Sequence, residues 1–305
     1  LLKILSLKAL QLMSKSSINY FKNSLVLTIA VAISTILTTS VKALQVQVSP
    51  AKPRLGDTLT VVITPENPTA SNPPSVTINK KTYPTFAIAA NKYRTFLPTT
   101  PLQKPGTRSL QIDAGAETKR MSVFVGDRKF PVQRIRLSPG KAGLEATEHE
   151  LKRVAELKAL KTPKKYWNGA FLKPNKGRIS TIYGVRRYYN GKFAQDYYHR
   201  GVDYAGATGS PVIAPADGRI ALVGRVSQGF RVHGNIIGID HGQGVITTYL
   251  HLSRLNVQEG DVVKAGQVIG AVGSTGAVTG PHLHWGLYVQ GESVDPTPWR
   301  DRKFN

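Results

Sequence analysis

Thr279-Gly280-Pro281-His282-Leu283-His284-Trp285 sets two histidines two residues apart in a strand-like context. A pleated strand sends residues i and i+2 to one face, so the two imidazoles emerge side by side and can converge on one ion or one substrate. Val or Ile would suit an inward strand position; two imidazoles there need polar partners or a metal. Gly280-Pro281 restricts the backbone just before the pair and fixes where the strand begins. Outward from this stretch the sequence is rich in Gly and Val from about residue 177 to the end, with short runs such as Gly218-Arg-Ile-Ala-Leu-Val-Gly224, Asn235-Ile-Ile-Gly-Ile-Asp240 and Gly244-Val-Ile-Thr-Thr-Tyr249. Single glycines and a Pro-Ala-Asp-Gly turn between such runs predict a compact antiparallel β domain over 176–305.

Six of the seven histidines fall in this region. Two further segments join the pair: Tyr198-His199-Arg-Gly-Val-Asp203 and Thr248-Tyr-Leu-His251-Leu-Ser253. Three residues including Gly201 separate His199 from Asp203, so a loop or strand end can bring imidazole and carboxylate together. Two imidazoles and one carboxylate suit zinc and leave a fourth tetrahedral position for water. Taken alone, His-x-x-x-Asp also reads as a surface salt bridge; the combination with His-x-His and His251 says more than any one part. His233 and His241 sit in turns and read as structural hydrogen-bonding groups. Tyr188, Tyr189, Tyr197 and Tyr198 surround the Asn190-Gly191 hairpin signal, either lining a groove or packing on strands.

Residues 44–127 carry short alternating runs, among them Thr58-Leu-Thr-Val-Val-Ile-Thr64, Ser75-Val-Thr-Ile78, Ser109-Leu-Gln-Ile-Asp113 and Met121-Ser-Val-Phe-Val125, punctuated by Pro, Gly and Asn. Period-two runs at that spacing predict an immunoglobulin-like β-sandwich of about seven strands. Residues 128–175 read as a basic linker with one amphipathic helix. Leu144, Leu151, Val154 and Leu157 share its face, acids occupy its first turn, and Lys158 and Lys161 close it. His149 lies among its polar residues as a solvated side chain. The same segment could drape across the groove of the last domain and hold it latent.

The first 43 residues read as an export signal: Lys3, Lys8, Lys15 and Lys22 precede an apolar run from Leu25 to Leu37, and Val41-Lys42-Ala43 offers a cleavage site. An uncleaved single-span anchor is the alternative. Since the sequence opens on Leu1, Met13 offers a second start. Either way, the remainder leaves the cytoplasm. The full 305 residues hold 41 Lys+Arg against 18 Asp+Glu, a net +23, and no cysteine. Removing five lysines and no acid with the signal leaves +18 on the exported part. Such a charge asks for an anionic partner. Export and the lack of any basic heptad helix, RNA-binding signature or Cys/His finger exclude nucleic acid and leave the polymers of a cell envelope. Zero Cys removes disulfides, thiolate metal sites and a Cys nucleophile.

The stretch from about Ile179 to Pro296 resembles the lysostaphin/LytM-type zinc metallopeptidases, which cleave peptide bonds in bacterial peptidoglycan. The matching text includes Tyr183-Gly184-Val-Arg186, His199-Arg-Gly-Val-Asp203, Asp240-His-Gly-Gln-Gly244, Tyr249-Leu-His251-Leu-Ser253 and Gly280-Pro-His-Leu-His284. The resemblance implies His199, Asp203 and His284 as zinc ligands, with His251 and His282 as non-ligand catalytic histidines flanking the reacting water. It departs at Trp285-Gly286, where relatives carry an aromatic residue and Glu, and at Phe230-Arg-Val-His-Gly234, an unusual Gly-rich turn. These bear on substrate preference and packing more than on chemistry.

A zinc ion lowers the pKa of bound water towards ~7 and polarises a carbonyl. No His-Glu-x-x-His helix supplies a Glu base, so proton handling falls to His251 and His282, without a division of roles between them. The expectation is therefore a mainly β chain comprising an export segment (1–43), a sandwich (44–127), a helical linker (128–175) and a zinc endopeptidase domain (176–305). Its expected partners are peptidoglycan peptides and anionic envelope polymers, with a membrane only through an uncleaved N-terminus, in the periplasm, cell envelope or secreted fluid. The alternative is a catalytically silent envelope-binding or regulatory protein that retains the peptidase fold.

Overall fold

In the computed structural model, strands β1 (Gln45–Ser49), β2 (Thr58–Thr64), β3 (Ser75–Ile78), β4 (Lys81–Pro84), β5 (Phe86–Ala89), β6 (Lys92–Pro98), β7 (Gly106–Ala114) and β8 (Glu117–Val125) build the first half. They form two antiparallel four-stranded sheets, ordered β1-β2-β6-β5 and β4-β3-β7-β8. The order corresponds to strands A-B-E-D facing C-F-G, with one strand added beside C. Val61, Ile63 and Leu97 from one sheet meet Val76, Leu110 and Ile112 from the other, each at most 1% exposed. Two strands carry no obvious signal in the sequence. Lys81–Pro84 is short and polar, and in Lys92–Pro98 a buried Arg94 and Thr95 interrupt the apolar alternation. The structure describes residues 43–67, 72–142 and 144–304, so the segment read as an export signal lies outside the described residues. Among the described residues no helix is long and apolar enough to cross a membrane.

Residues 128–175 are woven into the rest. β9 (Val132–Ile135) pairs in parallel with β11 (Arg186–Tyr189), which turns through Asn190 (φ 48°) and Gly191 (φ 86°) into β12 (Lys192–Phe193). Positive φ at both turn residues is what the Asn-Gly hairpin signal requires. After a single turn, α1 (Pro139–Ala142), comes α2 (Glu148–Ala159), begun where the Thr147 hydroxyl accepts the Glu150 N–H. Its buried face is Glu150, Val154 and Leu157, spaced i, i+4, i+7. The face differs from the one expected. Leu144 precedes the helix and Leu151 is 57% exposed, because the helix starts at residue 148 and turns Glu150 instead onto the sheet. Trp167 and Phe171, also from this segment, are buried in the main core.

An eight-stranded sheet carries the second half: β10 (Ile179–Thr181), β13 (Gly201–Ala205), β21 (His282–Val289), β17 (Val245–Leu250), β16 (Ile236–Gly242), β15 (Gly218–Gly224) and β19 (Val262–Val263) in that order, with β22 (Glu292–Val294) beside β21. A smaller sheet holds β14 (Pro211–Ile213), β20 (Val268–Ala271) and β18 (Arg254–Leu255), and α3 (Thr297–Asp301) follows β22. The pleat of β21 sorts its residues. Leu283, Trp285, Leu287 and Val289 are 0% exposed in the main core, whereas His282, His284, Gly286 and Tyr288 belong to the other face, where α2 packs Val154 and Leu157 against Leu222, Ile246, Leu250 and Tyr288. The functional groove therefore opens on the α2 side of the sheet. The sandwich docks onto the same unit through Phe96, which joins Trp167, Trp299 and Phe304 in the main core, and through Arg94, whose guanidinium donates to Gln243 Oε1 at 2.5 Å and to the Phe304 carbonyl at 3.3 Å.

Candidate metal centre

Strand register assembles the site. In the antiparallel pair β13–β21, Asp203 stands directly opposite His284 and Ala205 opposite His282, so the carboxylate and both imidazoles project to one face. Gly201 is part of the design. A Cβ there would lie 2.4 Å from the Trp285 carbonyl oxygen and 2.8 Å from His284 Nε2, so only glycine lets the two strands approach this closely around the histidine. His199, just before β13, completes the set. His199 Nε2, Asp203 Oδ1 and His284 Nδ1 lie 2.9 to 3.0 Å from one another, all but His284 below 9% exposed.

The donor set fits a cation. His199 Nδ1 lies 2.8 Å from the Ile182 carbonyl oxygen; a carbonyl only accepts, so Nδ1 carries the proton and neutral His199 presents a bare lone pair at Nε2. That lone pair faces a carboxylate oxygen and another imidazole nitrogen. Acceptors meeting acceptors in a buried place repel unless a positive charge lies among them, and two nitrogens plus one oxygen suit Zn2+ with a position left open. Burial pushes His284 down to about 4 despite the attraction of Asp203.

His251 and His282 stand beside this cluster. Their ring centroids are 5.0 Å apart, and His251 is 6.2 Å from His284. Both repeat the His199 arrangement: His251 Nδ1 donates to the Thr275 carbonyl and His282 Nδ1 to the Gly280 carbonyl, each at 2.9 Å. With Nδ1 engaged, each ring turns Nε2 toward the cluster, and His282 Nε2 is 3.8 Å from Asp203 Oδ1. Burial, then the neighbouring His282 and His284, drives the His251 pKa well below its ordinary value. His251 also has φ 67°, a left-handed conformation uncommon for a non-glycine residue. All five histidine and aspartate positions singled out in the sequence are brought together.

The other histidines are placed elsewhere. His241 is fully buried, its Nδ1 donating to the Asp217 carbonyl and its Nε2 beside the Thr247 hydroxyl, and burial lowers its pKa to about 4. His149 packs edge-on to Phe230. Tyr198 is buried, while Tyr189 and Tyr197 line the groove.

Two residues near the site escaped the sequence. Arg187 approaches Asp203 Oδ2 at 3.5 Å and is itself held by Gln133 of β9 at 3.1 Å and the Tyr189 hydroxyl at 3.3 Å. Glu150 of α2, 0% exposed, accepts the backbone N–H groups of Arg231, Val232 and His233 at 2.9, 3.1 and 2.7 Å. That turn in turn holds the site, because the His233 carbonyl accepts the His251 N–H and the Val232 carbonyl accepts the Ala277 N–H. The only signal for Glu150 in the sequence is its place four residues before Val154.

Fold and donor set define a metal-binding β domain, and the comparisons give it a family. The C-terminal domain belongs to peptidase family M23, whose model matches residues 197–296. The chain is 48% identical over 98 residues to the DD-carboxypeptidase/endopeptidase Mpg of Neisseria meningitidis serogroup B, covering 32% of this chain and 22% of that protein. It is 41% identical over 119 residues to the peptidoglycan DD-endopeptidase ShyC of Vibrio cholerae serotype O1, covering 39% and 26%. It thus spans about a quarter or less of the length of these curated relatives. A crystal structure described as a peptidase M23 of Pseudomonas aeruginosa matches at TM-score 0.60 and 26% identity, over 82% of this chain and 95% of that one, so the likeness reaches beyond the family match.

Proposed function

We propose that this chain is an exported zinc-dependent endopeptidase that hydrolyses peptide bonds of bacterial peptidoglycan and acts in the cell envelope, with residues 1–43 serving as its export segment. The observation that carries the reading is the convergence of His199 Nε2, Asp203 Oδ1 and His284 Nδ1 beside two further imidazoles with Nδ1 engaged. Family membership and relatives named as peptidoglycan endopeptidases support the substrate. A net charge of +18 on residues 44–305 suits attraction to anionic envelope polymers.

In this reading His199, Asp203 and His284 hold the metal. When bound, zinc polarises the scissile carbonyl and makes water acidic enough to attack near pH 7. The chain's own groups do the rest. The carbonyl of Ile182 fixes the His199 tautomer, and Arg187 holds Asp203 Oδ2 so that Oδ1 stays turned to the centre. His282 and His251 take the proton of the attacking water at Nε2 and return it to the departing amine as the C–N bond breaks. Tyr189, Tyr197 and Leu151 line a groove of about 1030 Å³ in which an extended peptide can lie.

Incubation of the purified protein with peptidoglycan sacculi should release soluble muropeptides, and a chelator should stop the release. Undiminished release by His284→Ala would remove the ligand assignment. A metal-free protein that binds sacculi without cleaving them would point to the silent envelope-binding alternative.

A further inference from the structure

Charge is unevenly distributed around the groove. Arg134, Arg136, Arg187 and Arg200 line it, whereas Asp203 is the sole carboxylate lining it among the described residues. That carboxylate is already engaged, Oδ1 within the donor cluster and Oδ2 beside Arg187. Arg187 has its own set of partners in Gln133, Tyr189 and Asp203. The other three arginines have no carboxylate within ion-pair distance among the described residues, although Arg128 and Arg153 away from the groove pair with Asp295 and Glu259.

Two of these three are held in place by aromatic rings. The Arg200 guanidinium lies 5.3 Å from the Tyr197 ring centre and 5.2 Å from that of Tyr198; the Arg134 guanidinium lies 4.7 Å from that of Tyr188. Stacking on a ring restrains the side chain while leaving the guanidinium edge free to form a fork with a carboxylate. A restrained fork loses little entropy on binding. Arg200 also follows the ligand His199 in sequence, and Arg134 belongs to β9, whose pairing with β11 fixes it beside the groove. Leu151, 57% exposed, also lines the groove.

We propose that Arg134, Arg136 and Arg200 form a subsite of the groove that selects acidic peptides, binding free carboxylates of the substrate. The proposal rests on the peptidase reading, since it takes the groove to be a peptide-binding site. It assigns specificity to residues outside the metal cluster and gives a local purpose to part of the chain's excess of basic groups.

The test compares two synthetic peptides of equal length, one with Asp or Glu at the charged positions and one with Asn or Gln. Binding to the full chain carrying His282→Ala is measured by calorimetry at physiological salt, so that affinity is read without turnover. The acidic peptide should bind about tenfold tighter, the gain of a charge-assisted hydrogen-bonded pair. Arg134→Gln/Arg200→Gln should reduce the preference to within about twofold, with the amide peptide unaffected. Arg134→Gln/Arg136→Gln, confined to exposed positions, provides a second variant whose fold is secure. Equal affinity for both peptides, or a preference that survives both double variants, overturns the subsite. Cleavage of neither peptide nor sacculi by the wild-type zinc-loaded chain would count against the peptidase reading instead, and the affinity ratio would still report on the arginines.

Discussion

Glu150 and His233 join the linker helix to the wall of the metal centre: the buried Glu150 Oε1 accepts a hydrogen bond from His233 Nδ1 at 2.5 Å as well as the His233 backbone N–H at 2.7 Å. Through this contact α2 fixes the turn whose His233 carbonyl holds the His251 backbone in its left-handed conformation. Part of the segment expected to drape across the groove therefore also supports its wall. Removing Glu150 leaves three backbone donors and an imidazole without their acceptor. Glu150→Ala should cost about 3 to 5 kcal/mol of stability, as for breaking a buried charged pair, measured by urea unfolding, and should lower kcat more than it raises KM. Full stability and kcat in the variant would refute the support.

The same carboxylate gives a pH dependence. Burial alone would raise its pKa, but the hydrogen bonds and charge of His233 with the backbone N–H groups lower it from 4.5 to about 2. A depressed folded-state value means that the contribution is complete above about pH 4.5 and disappears as pH falls through about 2. Over that window Glu150 should account for about 3 kcal/mol. Acid titration monitored by tryptophan fluorescence should therefore show a steep loss of stability that Glu150→Gln flattens.

Metal should stabilise as well as activate. Because His199, Asp203 and His284 meet only in the folded chain, Zn2+ at a thousandfold excess over its Kd should add about 4 kcal/mol. Calorimetric scans with and without chelator should differ by several degrees. His284→Ala should lose both the bound zinc and the shift.

His251 and His282 should separate from the ligands by metal content. Either histidine changed to Ala should retain zinc, measured by atomic absorption, while kcat falls about 10²- to 10⁴-fold, the usual contribution of a general acid or base. His241→Ala is the contrast. It removes hydrogen bonds between core groups and should lower the melting temperature while leaving the folded fraction's kcat near wild type.

The sandwich should be inseparable from the half that carries the metal centre. Arg94, 1% exposed, crosses into it to reach Gln243 and the Phe304 carbonyl and lies 4.7 and 5.3 Å from the Phe96 and Trp167 ring centres. A chain beginning at residue 128 would uncover Trp167, Trp299 and Phe304 and should aggregate or lack a cooperative transition. Gel filtration and thermal melting of that fragment against the full chain test this.

Local patterns made much of the molecule legible. The Asn190-Gly191 hairpin, the alternating strands of the sandwich and the His282-Leu283-His284 pleat depend on neighbours in sequence, and the structure shows each of them. Arg94 and Glu150 were not legible. Each is a charged residue buried by partners 149 and 83 positions away, and neither propensity nor periodicity registers a contact at that range.

By itself the sequence singled out five groups on three separated segments, no thiol among them, with one pair already forced onto a common face by the strand period. Only the tertiary structure decided that they meet. The β13–β21 register sets Asp203 opposite His284, Gly201 allows the close approach, and carbonyls from Ile182, Thr275 and Gly280 orient the rings. The physical reason is the difference in range. Period and turn chemistry act over a few residues, whereas the free energy of a buried donor cluster depends on which distant backbone groups close around it.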